Sequence, residues 1–487
     1  MYFGGVRKAR ELRGGRSRVE LDARLALLTL VAASLFLWPI LAYGRPGYIQ
    51  DSAAYYKGGH MAVAYVLDKG EPARAAPPEA GPGASPHPAG AGAAEIRGAR
   101  SVAYSLAAFI FGAPNAKMWL LCAFQALATG FLGAATLLLF ANQERKLWRK
   151  LAVLAVASPV AFVACLAIPD IFAGLVVLAI ALVAVTYERM SAGVRTVTIL
   201  IAAAGIAFHA SHLPIALAMT LAAIGWLAFD AWRRAPVPRQ QWAWVIAPFV
   251  LGAAATVASN FVAFGGASLT GKRYPLTLAR SVAEGPGKWY LEKNCDHLKY
   301  AICEVYPHSV PSSINEFLWG SNGIKERATP EQMDRIRAEE SEVVLAATRA
   351  YPLVELNRFA LNFARQLVRF EPGAAVLDNR MVLDPQGTPQ LEPARYDRFW
   401  TTLVHWLTII SVSISVLVLF RRFRADGSSR PLIGLIVVGI FANAAVCVYF
   451  SGIIDRYGAR VIWLLPLLAL ALVGQNPAGE DPNASQA

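Results

Sequence analysis

Residues 25–56 read LALLTLVAASLFLWPILAYGRPGYIQDSAAYY. The segment 25–43 carries no charge and is close to the ~20 apolar residues that cross a bilayer. It stops at Gly44-Arg45-Pro46-Gly47 and is preceded by Arg7, Lys8, Arg10, Arg13, Arg16 and Arg18. A basic flank of that kind keeps its end on the cytoplasmic side, so Tyr48-Ile49-Gln50-Asp51-Ser52 emerges on the far face. No small-residue cleavage site follows, and the segment reads as a retained helix. An acid just past a membrane exit serves either as a helix cap or as a catalytic carboxylate.

The composition agrees with a membrane protein. Of 487 residues, 56% are hydrophobic and 16% charged, against about 25% charged in a soluble domain. Mean hydropathy is +0.42. The net charge of +13 is placed in cytoplasmic loops, where Arg and Lys set topology. No aromatic residues are interleaved with the basic ones as base stacking requires, which excludes nucleic acid as a partner. No strand, glycine-rich turn and helix follow one another as a nucleotide-binding loop.

The whole reads as an all-α polytopic membrane protein with about ten transmembrane helices. They cover 25–43, 119–140, 151–168, 171–187, 196–208, a sixth ending near 230, then 242–264, 399–420, 431–450 and 461–473. Every short inside loop is then a basic one and both termini are cytoplasmic. The organisation is a basic cytoplasmic tail 1–24, a membrane module 25–264 with an external loop 44–118, an external region 265–398, closing helices 399–473 and a cytoplasmic tail 474–487. Within the first external loop, 51–67 and 100–111 form amphipathic helices lying on the membrane. Between them, 71–95 is Pro, Ala and Gly with little to bury and reads as a disordered insertion. The region 265–398 reads as mostly helical. Thr329-Pro330-Glu331 caps one helix. Another over 352–370 carries Leu356, Phe359, Phe363, Leu367 and Phe370 at helical spacing, as a surface-lying or domain-packing helix does.

The unusual polar residues collect on one side. Asp51, Asp170, His209, His212, Asp455, Arg456 and Arg460 all fall at external helix ends. Each has a plain alternative: cap for Asp51, turn residue for Asp170, interfacial histidines for His209 and His212, and a local ion pair for Asp455 and Arg456. Arg456, beside the acids, is well placed to hold a phosphate through its planar fork. Cys295 and Cys303 lie close together in the external region and point to a disulfide, while Cys122, Cys165 and Cys447 lie in apolar spans.

This pattern resembles the GT-C superfamily of integral-membrane glycosyltransferases, which includes protein O-mannosyltransferases and lipid A aminoarabinose transferases. The residues that carry the resemblance are Gly47-Tyr48-Ile49-Gln50-Asp51-Ser52-Ala53-Ala54-Tyr55, Arg100-Ser101-Val102-Ala103-Tyr104-Ser105-Leu106, Pro169-Asp170, and Arg456-Tyr457 ahead of Arg460-Val461-Ile462-Trp463-Leu464-Leu465-Pro466. It covers residues 25 to about 226 and the last two helices; the region 265–398 departs from it. The resemblance implies an inverting transfer of sugar from a polyprenyl-phosphate donor to a glycolipid, polysaccharide or protein acceptor at the periplasmic face of a bacterial-type inner membrane. In that reading Asp51 is the base and Asp170 the second acid, positioning the acceptor or a metal. Arg456 and Arg460 meet the leaving phosphate, His209 or His212 donates to it or orients Asp170, and Tyr55, Arg100 and Tyr457 are further candidates. Two acids and two histidines leave a divalent metal open as a cofactor. Two other readings stay open. One is a polymerase or ligase using an undecaprenyl-pyrophosphate glycan, with Arg358, Arg365, Arg369 and His308 essential. The other is a carrier of lipid-linked glycan, which commonly shows an internal repeat and a midplane site.

Overall fold

The computed structural model describes residues 22–67, 100–113, 115–141, 146–233, 236–373 and 378–473. The expected basic tail up to residue 21, the insertion 71–95 and the C-terminal tail lie outside them. The described residues are mostly helical, and seven helices among them are long and apolar enough to cross a membrane.

The chain opens with α1 (Asp22–Tyr43), followed by α2 (Gln50–Leu67), α3 (Val102–Gly112), α4 (Trp119–Phe140), α5 (Leu147–Val156), α6 (Val160–Ala164) and α7 (Ile171–Thr186). Then come α8 (Ala192–Phe208), α9 (His212–Arg233) and α10 (Arg239–Phe264). Helix α7 is buried along almost its whole length and forms the axis of the bundle. The outer helices turn apolar residues outward, as Leu27, Leu30 and Leu41 of α1 do; this is the distribution a lipid solvent favours.

The seven long helices are α1, α4, α7, α9, α10 and two at the C-terminal end. The other three expected spans take different forms. Residues 196–208 extend into the 17-residue α8. The expected continuous helix over 151–168 is split into α5 and α6, because Pro159 removes a backbone donor after Ser158. The last span is likewise interrupted at Trp463.

Away from water, a broken helix must find donors for its freed carbonyls. Trp38 Nε1 donates to the carbonyl of Ala155 at 3.0 Å, and Ser411 Oγ to that of Ala157 at 2.5 Å. Gln125 Nε2 spans the carbonyls of Ala164 and Leu166 at 2.9 and 2.8 Å, and its own Oε1 accepts from the Tyr104 hydroxyl. Gly47 donates to Cys165 O and accepts from Ala167 N, each at 2.9 Å, a short parallel clasp joining the two stretches that precede α2 and α7.

The external region is a helical unit with its own core. It contains α11 (Leu276–Glu284), α12 (Pro286–Asn294), α13 (Ala301–Val305), α14 (Ile314–Trp319), α15 (Ile324–Arg327), α16 (Pro330–Ala350) and α17 (Pro352–Leu367). Val282, Leu291, Ile302, Phe317, Met333 and Val343 build the centre. Thr329 and Gln332 form a reciprocal capping box at the start of α16. Cys295 and Cys303 are joined by a disulfide, with 5.2 Å between their Cα atoms. Glu340 accepts from the backbone N–H groups of Thr277 and Leu278 at 2.8 and 3.1 Å, which satisfies donors at the N-terminus of α11.

An antiparallel hairpin follows, β1 (Asn379–Leu383) and β2 (Pro389–Pro393), with Met381 opposite Leu391. The sequence reading of 265–398 as mostly helical did not include it. Asp384 accepts from the N–H groups of Gln386 and Thr388 to form its turn, and Met381 inserts into the main bundle core. The chain closes with α18 (Phe399–Ala425), α19 (Arg430–Phe450), α20 (Asp455–Ile462) and α21 (Leu464–Leu472).

A buried ion cluster fastens the external unit to the bundle. Arg280, 2% exposed, reaches Glu284 at 2.5 Å and Glu355 at 3.1 Å, and lies over the ring of Tyr449 on α19. Burial pushes the Glu284 carboxyl above its usual range, while Arg280 opposes that shift.

Candidate functional site

Three short helix starts build the site. Asp51 lies in the first turn of α2, Asp170 at the N-terminal end of α7, and Arg456 and Arg460 one turn apart on α20. The i, i+4 spacing places both guanidinium groups on one face.

Asp51 does not cap its helix, contrary to the cap reading. Helix α2 begins one residue earlier, at Gln50, and the side chain that reaches back to the preceding N–H belongs to Ser52, whose Oγ accepts from Ile49 N at 3.1 Å. The Asp51 carboxylate instead pairs with Arg100, at the edge of α3, and stands 4.0 Å from Arg456 Nη2. Asp51 remains 20% exposed, so its oxygens are reachable from outside.

Asp170 is 2% exposed and caps no N–H group of α7. Its Oδ2 lies 3.4 Å from Arg456 Nη1, and its Oδ1 3.4 Å from Arg460 Nη1. One buried carboxylate therefore orients two arginines. Arg460, with 0% exposure, also donates through Nε to Asn443 Oδ1 at 2.8 Å and through Nη2 to Ser211 Oγ at 3.2 Å. Asn443 Nδ2 closes the ring on the Tyr457 carbonyl at 2.7 Å. The Tyr457 ring stacks beneath both guanidinium groups, 5.1 Å from Arg456 and 5.0 Å from Arg460. Burial works against the charge of Arg456, but Asp170, Tyr457 and Asp51 outweigh it and hold the group protonated.

The two histidines, equivalent in sequence, have opposite hydrogen-bonding characters. The Ser211 N–H donates to His209 Nδ1 at 3.1 Å, so the proton of a neutral His209 ring sits on Nε2. Burial and the charges of Arg460, Arg456 and Arg100 hold its pKa well below the ordinary histidine value. His209 is thus a neutral donor. His212 Nδ1 faces the Gly205 carbonyl at 2.7 Å, which only accepts. Its proton is therefore on Nδ1, and its buried Nε2 is an acceptor with no partner among the described residues. Of the two histidines left open by the sequence as donors to phosphate or as a support for Asp170, His209 has the hydrogen-bonding character of the donor.

Tyr55 is buried and packs edge-on against Tyr104 at 4.8 Å, forming the wall behind Asp51. Close backbone approach also matters: a Cβ on Gly174 of α7 would stand 2.6 Å from the Arg460 carbonyl oxygen. Sequence reasoning missed Ser211 and Asn443. Asn443 had a signal, a lone amide within an apolar span; Ser211 had none beyond its place between two histidines.

Among the described residues, no group of three or more His, Cys, Asp or Glu stands together where it could hold a metal ion. Asp51 and Asp170 are turned toward arginines, and His209 and His212 toward Ser211 and Gly205. The arrangement fits an anion better than a cation. Arg358 and Arg365 lie on the exposed side of α17 and His308 in an exposed turn, outside this constellation. No family model, curated protein or solved structure matches this chain.

Proposed function

We propose that the protein is an inverting membrane glycosyltransferase that moves a sugar from a polyprenyl-phosphate donor to an acceptor hydroxyl. The observation that carries the reading is the convergence, at one end of an apolar helical bundle, of a reachable carboxylate (Asp51) with two arginines (Arg456, Arg460) oriented by a buried one (Asp170). A lipid-linked phosphate sugar needs these parts together: an apolar flank for the chain, positive charge for the phosphate and an acid–base group for the sugar.

In this mechanism the acceptor oxygen attacks the anomeric carbon from the face opposite the phosphate. A C–O bond to the acceptor forms as the bond from that carbon to the phosphate oxygen breaks. The electron pair leaves with polyprenyl phosphate, and the acceptor proton passes to Asp51. Arg456 meets the charge on the leaving phosphate, aided by the His209 Nε2–H. Arg460 and Asp170 position Arg456 and the floor of the site, and Arg100 fixes the orientation of the Asp51 carboxylate. We assign the site to the periplasmic side of a bacterial-type inner membrane, with about ten passes and both termini cytoplasmic, from the arginine-rich loops at the opposite helix ends.

The test is purified protein in detergent with a polyprenyl-phosphate sugar and candidate hydroxyl acceptors, followed by chromatography of the lipid. Release of polyprenyl phosphate with a glycosylated acceptor supports the reading. Donor that binds and remains intact with every acceptor class points instead to a carrier.

A further inference from the structure

Helix α17 is built inside out for a water-soluble protein. Its protein-facing stripe is polar: Glu355 and Gln366 are buried, and Asn362 donates to Glu284 at 2.8 Å. Its outward stripe is apolar, with Leu353 79% and Leu356 64% exposed, continued by Ala360 and Ala364. Asn357 is the one polar residue among them. Arg358 and Arg365 lie along one flank, at the seven-residue spacing of a single helical edge, and Arg369 follows just past the end of the helix. Phe363 packs edge-on against Phe441 at 5.8 Å, and Phe441 is an outward-facing residue of the membrane-spanning α19. The apolar stripe is therefore continuous with the lipid-facing belt.

We infer that α17 lies in the membrane interface on the same side as the site, its leucines in the acyl region and its arginine flank on anionic lipid phosphates. Continuity with the belt and the arginine flank argue for lipid as the occupant. The helix is also joined to the site. Gln366 holds the backbone of Ile454 from both sides, accepting from its N–H at 3.0 Å and donating to its carbonyl at 3.1 Å. Ile454 is the residue from which α20 starts, and Arg369 stands 4.0 Å from Asp455, the first residue of α20. The lipid surface thereby sets the depth of the helix that carries Arg456 and Arg460. The placement stands on this geometry and not on the transfer chemistry.

Nitroxide labels at Leu353→Cys, Leu356→Cys and Ala360→Cys test it in the full chain, reconstituted in liposomes of phosphatidylethanolamine and phosphatidylglycerol. Glu331→Cys, on the exposed start of α16, serves as the water reference. The three α17 labels are expected to relax with oxygen and to be shielded from a water-soluble nickel complex, unlike the label at 331. Nickel access equal to that at 331 overturns the proposal. So does label-to-label broadening that grows with protein density, which means that a second copy of the chain covers the stripe. Because depth is read without turnover, the result is independent of whether sugar transfer is found.

Discussion

The carboxylate of Asp170 and the guanidinium of Arg460 stand 3.4 Å apart, 290 residues distant in the chain, and neither has more than 2% of its surface exposed. A buried pair costs desolvation on both sides, and removal of one partner strands the other. Asp170→Asn is therefore expected to lose about 3–5 kcal/mol of stability, seen as a lower unfolding midpoint in detergent. An unchanged midpoint would show that Asn443, Ser211 and Tyr457 suffice to hold Arg460 alone.

Asp51 presents the opposite balance. Its pair with Arg100 is partly exposed, and exposed pairs contribute about 0–1 kcal/mol. Asp51→Asn should fold with a near-wild-type midpoint while sugar transfer falls by roughly 10²–10⁴-fold. Full transfer by a folded Asp51→Asn protein removes Asp51 from the base role.

His209 gives a pH signature. Burial first, then Arg460, Arg456 and Arg100, lower its pKa in the folded protein, while an unfolded histidine titrates near about 6.5. Below that value the unfolded chain takes up a proton that the folded one refuses, so stability is lost as pH falls. His209→Gln should flatten the decline of the unfolding midpoint from neutral pH downward. An identical slope in both proteins would assign the decline to other groups.

The Cys295–Cys303 disulfide closes a short loop in the external unit, with a sequence separation of 8. Loop-closure entropy for such a ring amounts to about 2.5 kcal/mol. The double serine variant should lower the midpoint of the external unit and leave Arg456 and Asp170 in place. The check is protease susceptibility of 265–398 alongside donor binding, with susceptibility rising and binding retained.

The grouping of the site residues could be anticipated from the sequence because charge asymmetry across spans is a long-range rule read from local composition. Asp51, Asp170, Arg456 and Arg460 could be grouped without knowing any contact. What could not be read was which oxygen faces which nitrogen. Asp51 has the residue type of an N-cap and follows a loop in the sequence, but the helix starts at Gln50 and the pairing of its carboxylate with Arg100 is tertiary. The break between α5 and α6 did have a signal in Pro159, outweighed by the apolar character of its neighbours. The hairpin had one too: Asp384-Pro385-Gln386-Gly387 is a turn sequence, with Gly387 at φ +78. Its strands pack Met381 into a core supplied by residues far away in the chain, which local composition does not reveal.

The clasp between Gly47 and Leu166 acts as a ruler. Each acid stands four residues beyond its own member of the clasp, Asp51 after Gly47 and Asp170 after Leu166, on stretches running in the same direction. The distance between the reachable carboxylate and the buried one is thus a matter of register. One residue added to either arm would leave both helices and the clasp intact and still turn one acid away from Arg456.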